Sequence, residues 1–92
     1  MPSIRLNPTF PKKLRAFTKN NYQRSEAVKK AFRLFQENPT HPSLNVEKLS
    51  GSHTWTIRID KGNRLFFVWS DEGNTAIFFL VGPHDAYLTM RK

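Results

Sequence analysis

A chain of 92 residues with a net charge of +8, 38% apolar and 13% aromatic side chains reads as one domain over residues 1–92 with enough apolar mass for one compact core. It has no Cys, which excludes disulfides and thiolate metal sites, and His41, His53 and His84 are too scattered to suggest a metal or any cofactor. The start, Met1-Pro2-Ser3-Ile4-Arg5-Leu6, lacks an apolar leader, and no apolar run approaches the roughly 20 residues that span a bilayer, so a cytoplasmic protein without membrane contact is expected.

Ile4-Arg5-Leu6 reads as a short first strand. Asn7-Pro8 suits a helix cap followed by a proline at the first helical position. Phe10, Leu14 and Phe17 then recur at i, i+4 and i+7, the apolar stripe of an amphipathic helix. Asn20-Asn21 interrupts the pattern, and Ser25 can cap a second helix whose stripe is Val28, Phe32 and Phe35. Asn38-Pro39 stops it. Residues 39–54, with Pro39, Pro42 and Gly51, read as irregular.

After Thr54 the period changes to two. Trp55, Ile57 and Ile59 alternate with Thr56, Arg58 and Asp60, and the apolar segments Arg64–Trp69 and Thr75–Val81 follow. Asp60-Lys61-Gly62 and Asp71-Glu72-Gly73 suit three-residue hairpin loops with a left-handed Gly. The expected fold is α+β, ordered β-αα-βββ, a mostly antiparallel sheet with a helical hairpin on one face.

These loops set a register. Arg58 then faces Arg64, Arg64 faces Leu80, and Leu65 faces Phe79. One face carries Trp55, Ile57, Ile59, Leu65, Phe67, Trp69, Ile77, Phe79 and Val81, to pack on the helices. The other carries Thr56, Arg58, Arg64, Phe66, Phe78, Leu80, Gly82 and, beyond the strand, His84. Two arginines opposite each other repel. A bound phosphate would compensate, since guanidinium planes match phosphate; so would a bridge from Asp60 or Asp85, or a splaying of the two side chains into water. Phe66, Phe78 and Leu80 would form an apolar patch beside the arginines, of the kind that marks a protein contact.

The charge is one-sided. Residues 1–40 hold nine Lys/Arg against two Glu, whereas residues 41–92 hold six against five acidic residues. Such a field attracts polyanions and makes binding salt-dependent; a solubilising surface or a patch for an acidic protein fits the same composition. No phosphate-cradling GxxxxGK[ST], HExxH or GxSxG motif is present. Trp55 and Trp69 alternate with core positions and read as packing.

The layout β-αα-βββ, Asn38-Pro39 with Pro42 following, Lys48-Leu49-Ser50-Gly51, Trp55-Thr56-Ile57-Arg58-Ile59-Asp60 and Arg64-Leu65-Phe66-Phe67 resemble the RelE/ParE toxin superfamily. The ending Val81-Gly82-Pro83-His84-Asp85-Ala86-Tyr87 is similar to its C-terminal motif. The resemblance covers nearly the whole chain. It implies a fold related to microbial ribonucleases and, for RelE-like members, cleavage of mRNA in the ribosomal A site and silencing by a cognate antitoxin, a small acidic protein that forms a hetero-oligomer with the toxin. Carried over by position, Arg64 matches the arginine that grips the scissile phosphate, Arg58 the strand-two arginine, His84 the C-terminal histidine and Tyr87 the C-terminal tyrosine. Lys48, with Lys12, Lys13, Lys19, Lys29 and Lys30 of the basic helices, would hold the strand or ribosomal RNA.

Some branches place a Glu as general base before the Lys-Leu string; here that region reads Pro42-Ser43-Leu44, with Glu47 roughly in place. The base is open among Glu47, a lysine and His84. ParE-like members act on gyrase without the catalytic set, so the resemblance also admits a gyrase inhibitor or an inactive binding module.

Overall fold

The structure is a computed structural model that describes residues 2–70 and 72–86; Tyr87, expected in the site, lies outside the described residues. Strand β1 (Ser3–Leu6) leads into helices α1 (Phe10–Thr18) and α2 (Tyr22–Glu37). A 3-10 turn at Pro42–Leu44 precedes β2 (Glu47–Lys48), β3 (Trp55–Arg58), β4 (Arg64–Trp69) and β5 (Thr75–Gly82). The sheet has five strands in the order β1-β5-β4-β3-β2. All neighbours are antiparallel except β1 and β5. The expected α+β layout therefore holds, with one strand added: β2 is two residues long, too short for alternation to reveal it.

Both helix starts differ from expectation, for the same reason. Asn7 Oδ1 accepts from Thr9 N (3.1 Å) and Thr9 Oγ1 (3.0 Å), closing a turn before the helix. It is Pro11, and not Pro8, that occupies the first turn of α1, where its missing N–H costs nothing. In α2 the cap is Asn21, whose Oδ1 accepts from Arg24 N at 3.0 Å, and Ser25 lies inside the first turn. Arg24 also ties the hairpin together, its guanidinium carbon 4.4 Å from the Phe17 ring centroid and its Nη1 donating to Phe17 O at 3.3 Å. Asn38 ends α2, as expected.

The helical stripes pack on one sheet face. Phe10, Ala31, Phe35, Ile57, Leu65, Phe67 and Phe78 are buried together, with Leu14, Phe32 and Trp69 against them. Phe35 is central: its ring lies 5.2 Å from Phe67, 5.6 Å from Phe78 and 5.9 Å from Trp69.

The β3–β4 hairpin keeps the expected register, Arg58 opposite Arg64 and Ile57 opposite Leu65. The β4–β5 hairpin does not. Ser70 N donates to Thr75 O, making the loop one residue longer, so Trp69 faces Ala76 and Phe67 faces Phe78. A one-residue slip exchanges faces. Phe78, expected beside the arginines, thus turns onto the helices, while Ile77 and Phe79 lie outside the core cluster. A bulge between Phe66 and Phe67 then adds a second residue on β5 and restores the parity. Leu65 faces Val81 instead of Phe79, and Arg64 faces Gly82 instead of Leu80.

Candidate functional site

The face away from the helices carries two rows across the strands. Glu47 on β2 pairs with Thr56 on β3, which pairs with Phe66 on β4 and through it with Leu80 on β5. The next row is Arg58, Arg64 and Gly82. The arginines are therefore side by side on one face, and the counter-charge comes from an unexpected quarter. Arg64 Nη2 donates to Glu47 Oε2 at 3.4 Å, while its Nη1 donates to Thr56 Oγ1 at 3.0 Å and to Asn45 O at 3.4 Å. Neither Asp60 nor Asp85 bridges the pair: the Asp60 carboxylate is taken by Gly62 N (2.9 Å) and Asn63 Nδ2 (3.1 Å). Arg58 is exposed, its Nε donating to Asp60 O at 3.3 Å.

Burial divides the labour between the two arginines. The Arg64 side chain is only 15% exposed, so three acceptors fix its fork in the sheet surface. Thr56 is wholly buried, and Arg64 is the partner of its hydroxyl. Arg58, exposed and held by one hydrogen bond to Asp60 O, keeps its other N–H groups turned to solvent.

His84 reaches this face from the turn after β5. Gly82 has φ +154, and a Cβ there would stand 3.2 Å from Ala86 Cβ, so the chain folds back tightly only because no side chain is present. Ala86 N closes that turn on Pro83 O at 2.9 Å. The imidazole, 64% exposed, places Nε2 3.9 Å from Glu47 Oε1. One carboxylate thus touches both the guanidinium and the imidazole. Arg58, Arg64 and His84, with the Asp60–Asn63 loop, line an open groove of about 450 Å³.

Of the residues read from sequence, the fold brings Arg58, Arg64 and His84 together. Lys48 it does not: neighbours along a strand point to opposite faces, so Lys48 lies across β2 from Glu47, in a separate groove with His53, Trp55 and Trp69. Lys12, Lys13, Lys19 and Lys29 are exposed on the helical layer, Lys29 paired with Glu26 at 3.4 Å. Lys30 and Arg58 share a small cleft of about 90 Å³ between α2 and β3. Of the apolar patch expected beside the arginines, Phe66 and Phe78 are both 0% exposed and Leu80 alone of the three is partly exposed. The sequence put Thr56 on this face and Lys61 in the hairpin loop without giving either a part in the site, and Asn45 went unread; Thr56 and Asn45 carry no chemical signature of their own and matter only through where their oxygens point.

No protein-family model and no curated protein matches the chain. Solved structures do. A YoeB/ParE toxin from Agrobacterium tumefaciens superposes with a TM-score of 0.72 at 15% identity, over 89% of this chain and 98% of that one. A heterotetrameric YoeB–YefM toxin–antitoxin complex from Staphylococcus aureus gives 0.69 at 17% identity, over 91% and 98%. YafQ from E. coli gives 0.64 at 16%, over 95% and 98%. The chain has the fold of these toxins, as the RelE/ParE resemblance implied.

Proposed function

We propose that this protein is the toxin of a type II toxin–antitoxin pair, an endoribonuclease that cuts mRNA on the ribosome by metal-independent transesterification. The observation that carries the reading is the single carboxylate of Glu47, 3.4 Å from Arg64 and 3.9 Å from His84. On this reading Glu47 is the base that the motif leaves open, and both of its partners, Arg64 and His84, line the groove that is open to solvent.

In this mechanism the ribose 2′-OH attacks the adjacent phosphorus. Glu47 takes the hydroxyl proton, the new 2′-O–P bond forms, and the P–O5′ bond breaks as His84 delivers a proton to the leaving 5′ oxygen. The product ends in a 2′,3′-cyclic phosphate. An imidazole suits the acid because its charge changes between pH 5 and 8. Arg64 and Arg58 stabilise the charge that builds on the equatorial oxygens, Arg64 without reorganising because its acceptors already hold it. Tyr87 lies outside the described residues, and a part for it in the chemistry rests on the motif alone. The lysines of α1 and α2 hold ribosomal RNA by charge, and a small acidic antitoxin covers the groove.

Pulse-labelling after induction in bacteria tests the reading. Protein synthesis should stop before DNA synthesis. If DNA synthesis stops first, the protein is a gyrase inhibitor of the same fold.

A further inference from the structure

We infer that the groove on the helix side of β2 and β3 is a second RNA subsite, which takes one unpaired nucleotide with its base on Trp55 and its phosphate on Lys48 and His53. This rests on the reading of the protein as an RNA-cutting enzyme. Lys48, His53, Trp55 and Trp69 line a groove of about 460 Å³, as large as the one that holds the arginines. The register explains the grouping: Lys48 pairs with Trp55, Trp55 with Phe67, and Trp69 lies two residues beyond Phe67 on the same face.

The two tryptophans are not equivalent. Trp69 is committed to the core, stacked on Phe35 at 5.9 Å and edge-on to Phe67 at 5.4 Å. Trp55 pairs with no other aromatic ring among the described residues, although it is partly exposed. Both indoles pack against the core, but Trp69 is held between rings whereas the partly exposed Trp55 lines the groove without one. Lys48 and His53 are exposed and make no ion pair among the described residues, and no carboxylate lines the groove. A flat ring beside an unpaired lysine and an imidazole that can donate a hydrogen bond is what holds a single-stranded nucleotide, since every base has a π-face and every phosphate a charge.

Position favours RNA over an acidic protein segment. Glu47 and Lys48 are the whole of β2, the outermost strand, and face opposite ways. A strand of RNA that leaves the catalytic groove past Glu47 needs only to turn over this edge to meet Lys48. The subsite would therefore read a nucleotide near the cut, and contribute to the sequence preference of cleavage.

The test uses the full chain and a 2′-O-methyl hexaadenylate, which cannot be cut. Anisotropy reports binding of the RNA, and indole emission reports the groove. Binding should quench the emission. Trp55→Leu should weaken affinity by roughly 5- to 150-fold, the range for loss of one stacked base. Lys48→Gln, on an exposed residue that leaves the core intact, should lower the slope of log affinity against log salt by about one. RNA that binds without moving the emission, with Lys48→Gln and Trp55→Leu at wild-type affinity, overturns the subsite and leaves the nuclease reading standing. No binding of the free hexamer also overturns the subsite, while cleavage on the ribosome is decided separately by mapping fragments from programmed ribosomes. Quenching by an acidic peptide but not by the hexamer assigns the groove to a protein partner and overturns the proposal. Should Trp55→Leu fail to fold, Lys48→Gln and His53→Gln carry the same decision.

Discussion

Arg64 has its fork divided among three acceptors, Thr56 Oγ1, Asn45 O and Glu47 Oε2, and the consequences can be read residue by residue. A lysine at this position keeps the charge but presents one ammonium where the guanidinium spans acceptors on opposite sides. Arg64→Lys should therefore lower cleavage of ribosome-bound mRNA by about 10²- to 10³-fold, the range for losing one placed donor, with the fold retained by circular dichroism. Thr56→Val keeps shape and burial but removes the hydroxyl. It should cost about 1 kcal/mol in denaturant unfolding, the usual net worth of a hydrogen bond, and reduce cleavage less than Arg64→Lys, because two acceptors remain. Cleavage rates of the two variants measured side by side check the order. If Thr56→Val proved the more damaging for chemistry, the hydroxyl and not the guanidinium would be acting on the substrate.

The two hairpins offer a test at the level of elements, because their glycines differ. Gly73 has φ +70, in the region where a side chain is strained, and Gly62 does not adopt a positive φ. Each has open space where a Cβ would go. Gly73→Ala should then destabilise by about 1–2 kcal/mol, while Gly62→Ala should stabilise by about 0.4–1 kcal/mol through the unfolded chain. Thermal melting of the pair, with opposite signs, decides it; a Gly62→Ala that melts lower would place that loop in the left-handed turn the sequence suggested. Phe35→Ala, which opens the centre of the aromatic cluster, should cost about 3–5 kcal/mol. Helical stripes and the β3–β4 pairing were legible because apolar spacing and a short Asp-Lys-Gly loop report directly on local geometry. The β4–β5 register was not, since both the extra loop residue and the bulge are settled by which aromatics fit under Phe32 and Phe35, and Phe78 and Phe79 are chemically identical in the sequence. Arg58, Arg64 and His84 were legible in the site for the same local reasons. Glu47 was only roughly placed, because its strand is two residues long and its role depends on pairing with Thr56 across the chain.

Over the whole molecule the lysines of the helices and the groove of the arginines lie apart. The helices pack on one sheet face and the arginines occupy the other, so Lys12, Lys13 and Lys19 do not reach the groove, whereas Lys30 approaches it through the cleft it shares with Arg58. A substrate that engages both must be larger than a free oligonucleotide, as a ribosome is. Affinity for ribosomes should fall steeply with salt, and Lys12→Ala should lower that slope by about one while leaving the cutting rate at saturation unchanged; filter binding across a salt series measures both. A flat salt dependence would point to a protein partner for the basic helices. The most direct measurement is made on ribosomes programmed with a short mRNA, by mapping the fragments and the chemistry of their 3′ ends. The wild-type protein should cut the message and leave 2′,3′-cyclic phosphate, and Glu47→Gln and His84→Ala should each slow the cut by about 10²- to 10⁴-fold. An intact message with wild-type protein, or variants that cut as fast as wild type, would contradict the assignment of Glu47, Arg64 and His84 to RNA cleavage.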